Sequence, residues 1–233
     1  MTSSIHPRLA RDAPTLVLDL DGTLVNTAGD LTAALNQILG DEGLSPIDLD
    51  DAQKMIGEGA RAMLQAGLAA NGVAARPERI EILFNGLVDY YADHIADRSA
   101  PYPGAIAALD RFTADGWRLA VCTNKLEGLA RQLLEKIGIA DRFAAITGQD
   151  TFSVRKPDPG HLRETIVSAG GDPRLAVMVG DSGVDLATAR AAALPIILVS
   201  FGYSQVPIEE LSPDHIIDHF DELFDAANKL RRR

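Results

Sequence analysis

The chain has 233 residues, of which 46% are hydrophobic and 24% charged, a balance typical of a soluble globular protein with a buried core. Its 22 lysines and arginines against 33 aspartates and glutamates give a net charge of −11, which argues against a nucleic-acid partner. The single cysteine, Cys122, excludes an internal disulfide, and no stretch reaches the roughly 18–20 apolar residues of a membrane span. Since the first residues carry no secretory apolar segment, we expect a cytoplasmic protein without a membrane partner.

The chain opens on a short buried strand, which a block of helices follows. Residues 15–18 (TLVL) are a continuous apolar run that leads into an Asp-Gly turn, as is typical of a buried parallel strand. From about residue 26 to residue 99, apolar residues recur at helical spacing, with no convincing strand among them. We therefore predict three or four helices directly after the first strand.

Helices and strands alternate after the Pro-Gly-rich residues 101–104. The pattern predicts helices at 105–115, 127–137, 160–169 and 184–193, and strands at 117–122, 143–147, 175–179, 195–199 and 215–217. Such alternation indicates βαβ units, hence an α/β fold whose Rossmann-like parallel sheet carries helices on both faces. The predicted domains are a core of residues 1–24 and 101–233 and a small α-helical cap of residues 25–100.

Polar residues follow several of these strands at the point where each strand ends. Ligands of open parallel sheets bind beyond the carboxyl ends of the strands. Each polar residue alone is explained by turn preferences, but their combination predicts one site. The residues are Asp19, Asp21, Thr123 and Asn124, Lys156 in a later loop, and Asp181 and Asp185.

The charges of this group predict a cation site. Asp19, Asp21 and Asp181 would bring three carboxylates together, which requires a cation or bound protons. Oxygen ligands of this kind suit Mg²⁺ rather than zinc. With a dication and Lys156 the group is close to neutral, so it can accept a phosphate dianion. Lys156 would then contact phosphate oxygens as a point charge, and the Thr123 hydroxyl would be a neutral donor.

At these residues the chain resembles the haloacid dehalogenase superfamily. DLDGT at residues 19–23 is similar to its first motif, Thr123-Asn124 to its second, Lys156 to its third and GDSGVD at residues 180–185 to its fourth. The helical block looks like the superfamily's cap of the first type. Within the superfamily, DLDGTLVNT, IGEGAR, TNK and the pairing of KPDP with VGDSGVD resemble the phosphoglycolate phosphatase branch, and the resemblance runs from about residue 14 to about residue 224.

The resemblance implies a Mg²⁺-dependent phosphatase for a small phosphorylated metabolite, with 2-phosphoglycolate as the leading substrate. It implies that Asp19 is the nucleophile that forms an aspartyl-phosphate, and that Asp21 is the general acid and then the general base. It also implies that Asp19, the backbone carbonyl of Asp21 and Asp181 hold Mg²⁺. Superfamily members that store the phosphoenzyme have Thr at the position of Asp21, so Asp21 favours turnover.

The remaining site residues concern substrate binding. The resemblance implies that Thr123 and Lys156 hold the phosphoryl group and that Asp185 orients Lys156; Asn124 is a further candidate. Arg61 could meet a substrate carboxylate, or it could be an ordinary solvent-facing arginine. Lys125 could bind substrate as well, although lysines in loops are usually solvated.

Several other functions stay open at this point. The enzyme could hydrolyse another small ester or pyrophosphate, or it could be a phosphotransferase similar to β-phosphoglucomutase. A phosphonatase would need a Schiff-base lysine, for which Lys54 is the only lysine in the helical block. A response-regulator receiver also combines aspartates, Thr and Lys, but such domains are about half this length. We expect a monomer or a homodimer, with cap movement about residues 25–27 and 100–104.

Overall fold

The computed structural model describes residues 13–57 and 59–231. The strands are β1 (Thr15–Leu18), β2 (Val25–Asn26), β3 (Ala100–Pro101), β4 (Arg118–Cys122), β5 (Ala145–Thr147), β6 (Ala176–Gly180), β7 (Ile196–Val199) and β8 (His215–Ile217). The α-helices are α1 (Ala28–Asp41), α2 (Leu49–Ile56), α3 (Ala60–Ala70), α4 (Pro77–Asp93), α5 (Ala105–Ala114), α6 (Glu127–Lys136), α7 (Pro159–Ser168), α8 (Gly183–Ala192) and α9 (Leu223–Arg231).

Six strands form one parallel sheet in the order β5-β4-β1-β6-β7-β8. The alternation of side chains along a strand gives each face of the sheet its own apolar cluster. Leu16 and Leu18 of β1 belong to the cluster that includes residues of α5, α6 and α9, whereas Val17 belongs to the cluster with residues of α7 and α8. The sheet is therefore covered by helices on both faces, which confirms the predicted α/β fold class.

Helices α1 to α4 form a helical insert between β2 and β3, and here "insert" means residues 28–93. Its helices pack on one another through buried side chains such as Leu35, Met63 and Leu87. β2 and β3 form an antiparallel pair in which Val25 lies opposite Pro101. The segments that enter and leave the insert thus run side by side, a contact that two-residue strands are too short to reveal by periodicity.

A buried carboxylate joins the two ends of the insert. Asp30, in the first turn of α1, accepts hydrogen bonds from the backbone N–H of Ser99 at 2.8 Å and from its hydroxyl at 2.6 Å. Asp30 is almost fully buried, and these hydrogen bonds give its buried carboxylate the partners that it needs. Among the described residues, no helix combines the length and the apolar character that crossing a bilayer requires.

His161 of α7 is a buried histidine that should make the fold sensitive to acid. Burial lowers the pKa of His161 to about 4, and the nearby charge of Lys156 acts in the same direction. Between pH 6.5 and 4 the unfolded chain therefore binds a proton that the folded chain does not. The free energy of unfolding contributed by this site falls as the pH falls through that window, by up to about 3 kcal/mol.

We expect His161→Gln to weaken this dependence. Between pH 7 and pH 5, the free energy of unfolding measured in urea should change about 2 kcal/mol less favourably in the wild type than in the variant. His94→Gln, a change at a half-exposed ring beside Asp97, is the matched control and should follow the wild type. Equal losses in wild type and His161→Gln would show that the folded protein protonates His161 without cost.

Candidate active site

Three neighbouring strands carry the polar residues of the site. Leu18 at the end of β1 pairs in register with Val121 of β4 and Val179 of β6. Since the three strands end level with one another, the residues that follow them meet at one edge of the sheet. Asp19, Thr123 and Asp181 are those residues, and all three are buried.

Lys156 lies between two carboxylates. Its Nζ is 2.8 Å from Asp19 Oδ1 and 2.7 Å from Asp185 Oδ1. The other oxygen of Asp185 accepts the Ser182 hydroxyl at 2.6 Å, and Ser182 and Asp185 form a capping box at the start of α8. Asp185 is thereby fixed by its own helix and in turn orients the Lys156 ammonium towards Asp19.

Burial and mutual repulsion shift the acidities of these groups. Burial raises the pKa of Asp19 to about 6; Lys156 opposes this rise, and the carboxylates of Asp185 and Asp21 add to it. Burial, followed by Asp185 and Asp19, raises the pKa of Asp181 well above its usual value. Burial also disfavours the charged form of Lys156, but Asp185 and Asp19 outweigh it and raise the pKa of that lysine. The carboxylates of Asp19 and Asp181 therefore have too little positive charge around them to balance their negative charges.

The carboxylate of Asp181 is held by two donors. The Thr23 hydroxyl donates to its Oδ1 at 3.0 Å, and the backbone N–H of Tyr203 donates to its Oδ2 at 2.6 Å. Glycine at positions 22 and 202 allows both chain segments to approach Asp181 closely, since a β-carbon at Gly22 or Gly202 would collide with the Asp181 side chain. Gly22 also has a φ of +80°, which favours glycine.

The donor set fits a hard divalent cation. Carboxylate oxygens of Asp19, Asp181 and Asp185 lie within 4.8 Å of one another. Asp185 pairs with Lys156 through Oδ1 and accepts three hydrogen bonds at Oδ2, whereas each oxygen of Asp181 accepts one from the described residues, so Asp19 and Asp181 are the carboxylates with capacity for a ligand. Their raised pKa values show that each anion is under-compensated, and oxygen-only ligands match Mg²⁺ chemistry. The role of the Asp21 carbonyl as a third ligand stays a prediction.

Asp21 is held by residues from two other segments. Thr27 Oγ1 donates to its Oδ1 at 2.7 Å, and Lys125 Nζ contacts its two oxygens at 2.9 and 3.1 Å. The Lys125 side chain is only 5% exposed, and its ammonium lies 4.4 Å from the ring centre of Tyr91 in α4. Burial disfavours its charged form, but Asp21 outweighs burial and raises the pKa of Lys125. A loop lysine is thus buried beside the proposed acid.

Asn124 and Arg61 differ in their relation to the site. Asn124 lines the cavity and donates through Nδ2 to the backbone carbonyl of Lys156 at 3.1 Å, which ties the two loops together. The Arg61 guanidinium binds both oxygens of Glu81 at 2.6 and 3.0 Å and lies over the Phe84 ring. Arg61 is not among the described residues that line the cavity, and its contact with a substrate carboxylate stays a prediction.

The site opens into a cavity of about 760 Å³, part of it open to solvent, between the sheet edge and the insert. Lys125 and Lys156 are the cations among the described lining residues. The lining contributed by the insert is otherwise mainly apolar. It comprises Leu31, Ile56, Ala60, Met63, Phe84, Leu87, Val88 and Tyr91, with Gly57 and Gly59. Glu58, between those glycines, lies outside the described residues.

Sequence reasoning missed three residues of this arrangement. Thr27 contacts Asp21, Tyr91 contacts Lys125, and Tyr203 contacts Asp181. Thr27 belongs to the DLDGTLVNT segment, so the sequence places it close to the site along the chain but does not indicate that it contacts Asp21. Tyr91 and Tyr203 follow no motif and reach the site only through long-range packing.

Comparison with known proteins places the chain in a family. Residues 16–199 match the family model described as haloacid dehalogenase-like hydrolase. The chain belongs to the haloacid dehalogenase-like hydrolases. This haloacid dehalogenase-like hydrolase is 45% identical over 220 residues to a phosphoglycolate phosphatase of Mesorhizobium japonicum, covering 94% of this chain and 97% of that one. It is 46% identical over 214 residues to a phosphoglycolate phosphatase of Agrobacterium fabrum, covering 92% of both chains.

Structural similarity agrees with the sequence comparison. The crystal structure of a predicted phosphoglycolate phosphatase from Haemophilus somnus 129PT superimposes with a TM-score of 0.85 at 27% identity, covering 93% of this chain and 98% of that one. Together with the relatives, this similarity identifies the present haloacid dehalogenase-like hydrolase as a phosphoric monoester hydrolase.

Proposed function

We propose that this enzyme is a Mg²⁺-dependent phosphatase that hydrolyses 2-phosphoglycolate to glycolate and phosphate through an aspartyl-phosphate on Asp19. The observation that carries the substrate is the pair of buried lysines in one cavity, Lys156 beside Asp19 and Lys125 beside Asp21. A substrate with a phosphate at one end and a carboxylate at the other presents one anionic group to each lysine. The relatives named phosphoglycolate phosphatase support the same substrate.

The first step is a displacement at phosphorus. Lys156 and the Thr123 hydroxyl orient the phosphoryl group against Asp19, whose carboxylate oxygen attacks phosphorus while the bond to the glycolate oxygen breaks. Asp21 gives its proton to that oxygen, so that an alcohol and not an alkoxide leaves. Asp19 and Asp181 would hold Mg²⁺, which supplies positive charge to the phosphoryl oxygens.

The second step returns the enzyme to its starting state. Asp21, now ionised, takes a proton from a water molecule whose oxygen attacks the phosphorus of the aspartyl-phosphate. The bond between phosphorus and the Asp19 oxygen breaks, which releases phosphate and restores the Asp19 carboxylate. Asp21 ends protonated and ready for the next alcohol. Thr27 and Lys125 hold its carboxylate in place for both proton transfers.

The apolar character of the insert favours a small leaving group over a sugar. A sugar phosphate offers several hydroxyls that need partners once they are buried, since an unsatisfied polar group costs about 1–3 kcal/mol. Of the described insert residues that line the cavity, Tyr91 has the one side-chain polar group. Glycolate needs a partner for its carboxylate alone, and Lys125 provides it. We therefore propose that the insert acts as a cap that closes over the small anion and excludes water.

Phosphate release from a panel of esters tests this function. The panel contains 2-phosphoglycolate, ethyl phosphate, glucose 1-phosphate and pyrophosphate, each with Mg²⁺ and with EDTA. We expect Mg²⁺-dependent release with a preference of at least ~10²-fold in kcat/KM for 2-phosphoglycolate. Lys54→Met, at a lysine 65% exposed on α2, is a control that should match the wild type. Broad turnover without preference would refute the substrate, and sugar isomerisation without phosphate release would indicate a mutase.

A further inference from the structure

Tyr203 connects the proposed metal site with the start of the insert. It lies in the loop after β7 and is almost fully buried. Its backbone N–H donates to Asp181, as described above, and its ring extends from there to the chain segment that enters α1. Because Gly202 leaves no room for a β-carbon against Asp181, the loop fits tightly and the ring is held at both ends.

The N-terminus of α1 is capped by this tyrosine. The first N–H groups of a helix lack partners within the helix, and a Ser, Thr, Asp or Asn before the helix usually accepts one of them. Thr27 stands at that position, but its backbone is already helical, with φ −107° and ψ 0°, and its side chain makes no capping bond. The Tyr203 hydroxyl instead accepts the N–H groups of Thr27 at 2.8 Å and Ala28 at 2.9 Å, and donates to Asn26 Oδ1 at 2.8 Å. Asn26 Oδ1 also accepts Ala28 N–H at 3.3 Å.

The Thr27 side chain has its partner at the candidate active site. Its side chain is fully buried, so its hydroxyl must find an acceptor inside the protein. The hydroxyl donates to Asp21 at 2.7 Å. The Tyr203 hydroxyl binds the backbone N–H of the same residue, so it fixes the place from which the Thr27 side chain reaches Asp21.

We propose that Tyr203 is a positioning residue for catalysis: its hydroxyl holds the backbone of Thr27 at the start of α1, which keeps the Thr27 hydroxyl on Asp21. The inference rests on the proposed function, because that function makes Asp21 the acid and base. The Tyr203 hydroxyl contacts neither the cavity's lysines nor Asp21 and acts through Thr27. Three segments that are far apart in sequence thus fix one carboxylate.

Tyr203→Phe tests the inference, since it removes the acceptor of the Thr27 N–H and keeps the ring, while Ala28 N–H retains Asn26 Oδ1. We expect the Thr27 backbone to shift and Asp21 to lose the Thr27 hydroxyl. Then kcat/KM for alkyl phosphates should fall roughly 10- to 100-fold, a part of the 10²–10⁴ that a positioned acid contributes. For p-nitrophenyl phosphate, whose leaving group departs without a proton, kcat/KM should change less than about threefold. Tyr90→Phe, on α4 beside His94, is the matched control and should alter neither value.

A double-mutant cycle separates positioning from stability. Thr27→Val should lower kcat/KM for alkyl phosphates as Tyr203→Phe does, and Tyr203→Phe should add nothing further in the Thr27→Val background. Thr27→Ser should keep most of the activity because it retains the hydroxyl. Additive losses, or equal losses for alkyl and aryl phosphates, would overturn the inference.

A structural readout keeps this test independent of the substrate. If the wild type hydrolyses other alkyl phosphates and not 2-phosphoglycolate, the proposed substrate is refuted, but the double-mutant cycle can still be measured with those other esters. A crystal structure of Tyr203→Phe then reports the Thr27 rotamer directly. A Thr27 hydroxyl that has moved away from Asp21 supports the inference, and a Thr27 hydroxyl that stays on Asp21 overturns it.

Discussion

Asp19→Asn should abolish turnover, with a fall in kcat of ~10⁴-fold or more, because the amide cannot form the acyl phosphate through which we propose the reaction runs. The change keeps the shape of the side chain at the end of β1 and leaves Lys156 paired with Asp185. The loss should therefore be one of chemistry and not of folding. Phosphate release from 2-phosphoglycolate with Mg²⁺ measures it.

The stability of the same variant provides an independent check. Since the folded protein raises the pKa of Asp19 to about 6 from 3.8, the folded state binds a proton in this window that the unfolded chain does not. Without divalent cations, the contribution of Asp19 to stability should rise as the pH falls through that window, so the stability of Asp19→Asn should change less favourably than that of the wild type. At pH 7 the variant should be at least as stable as the wild type, because it has no under-compensated charge.

Asp89→Asn is the matched control for both measurements. It makes the same chemical change on an exposed position of α4 and should leave the activity and the pH dependence unaltered. Substantial turnover by Asp19→Asn would show that Asp19 is not the nucleophile. A Tm well below that of the wild type at pH 7 would show that the Asp19 carboxylate supports the fold.

The order of strands and helices could be predicted because both signals are local. Apolar runs and helical periodicity need only neighbouring residues, and the structure has strands and helices at the expected places. The polar groups at strand ends were predictable for the same reason. That Asp19, Thr123 and Asp181 meet depends on β1 lying between β4 and β6, and the general rule for parallel sheets supplied that step.

The surroundings of Lys125 and Arg61 were not predictable in this way. Lysine is usually exposed, and Lys125 is buried only because α4 places Tyr91 over it and Asp21 neutralises it. For Arg61 the sequence left a substrate contact and a solvent-facing position open, because the face that α3 turns to the cavity depends on how the four helices of the insert pack. Its bidentate pair with Glu81 comes from that packing. No local pattern encodes either outcome.

Lys125→Met should separate substrates with a carboxylate from substrates without one. We expect kcat/KM for 2-phosphoglycolate to fall about 10²- to 10³-fold, since a buried charge left without its partner costs about 3–5 kcal/mol. For ethyl phosphate, which lacks the carboxylate, the fall should stay below about tenfold. Methionine is one atom shorter than lysine but keeps a flexible apolar side chain that can contact the Tyr91 ring favourably.

The informative quantity is the fall in kcat/KM for 2-phosphoglycolate divided by the fall for ethyl phosphate, because Lys125 contacts both Asp21 and the substrate carboxylate in the proposed complex. Its loss removes a donor from Asp21 whichever ester is bound, and this effect is common to both substrates. Only the carboxylate of 2-phosphoglycolate loses a further partner, so the ratio isolates recognition of that group. Equal falls for both esters would assign Lys125 to Asp21 alone and would remove the observation on which the substrate rests. A much larger fall in kcat/KM for 2-phosphoglycolate than for ethyl phosphate would mean that one buried lysine contacts both the catalytic acid and the substrate. Substrate specificity would then depend on the same lysine that positions the catalytic carboxylate.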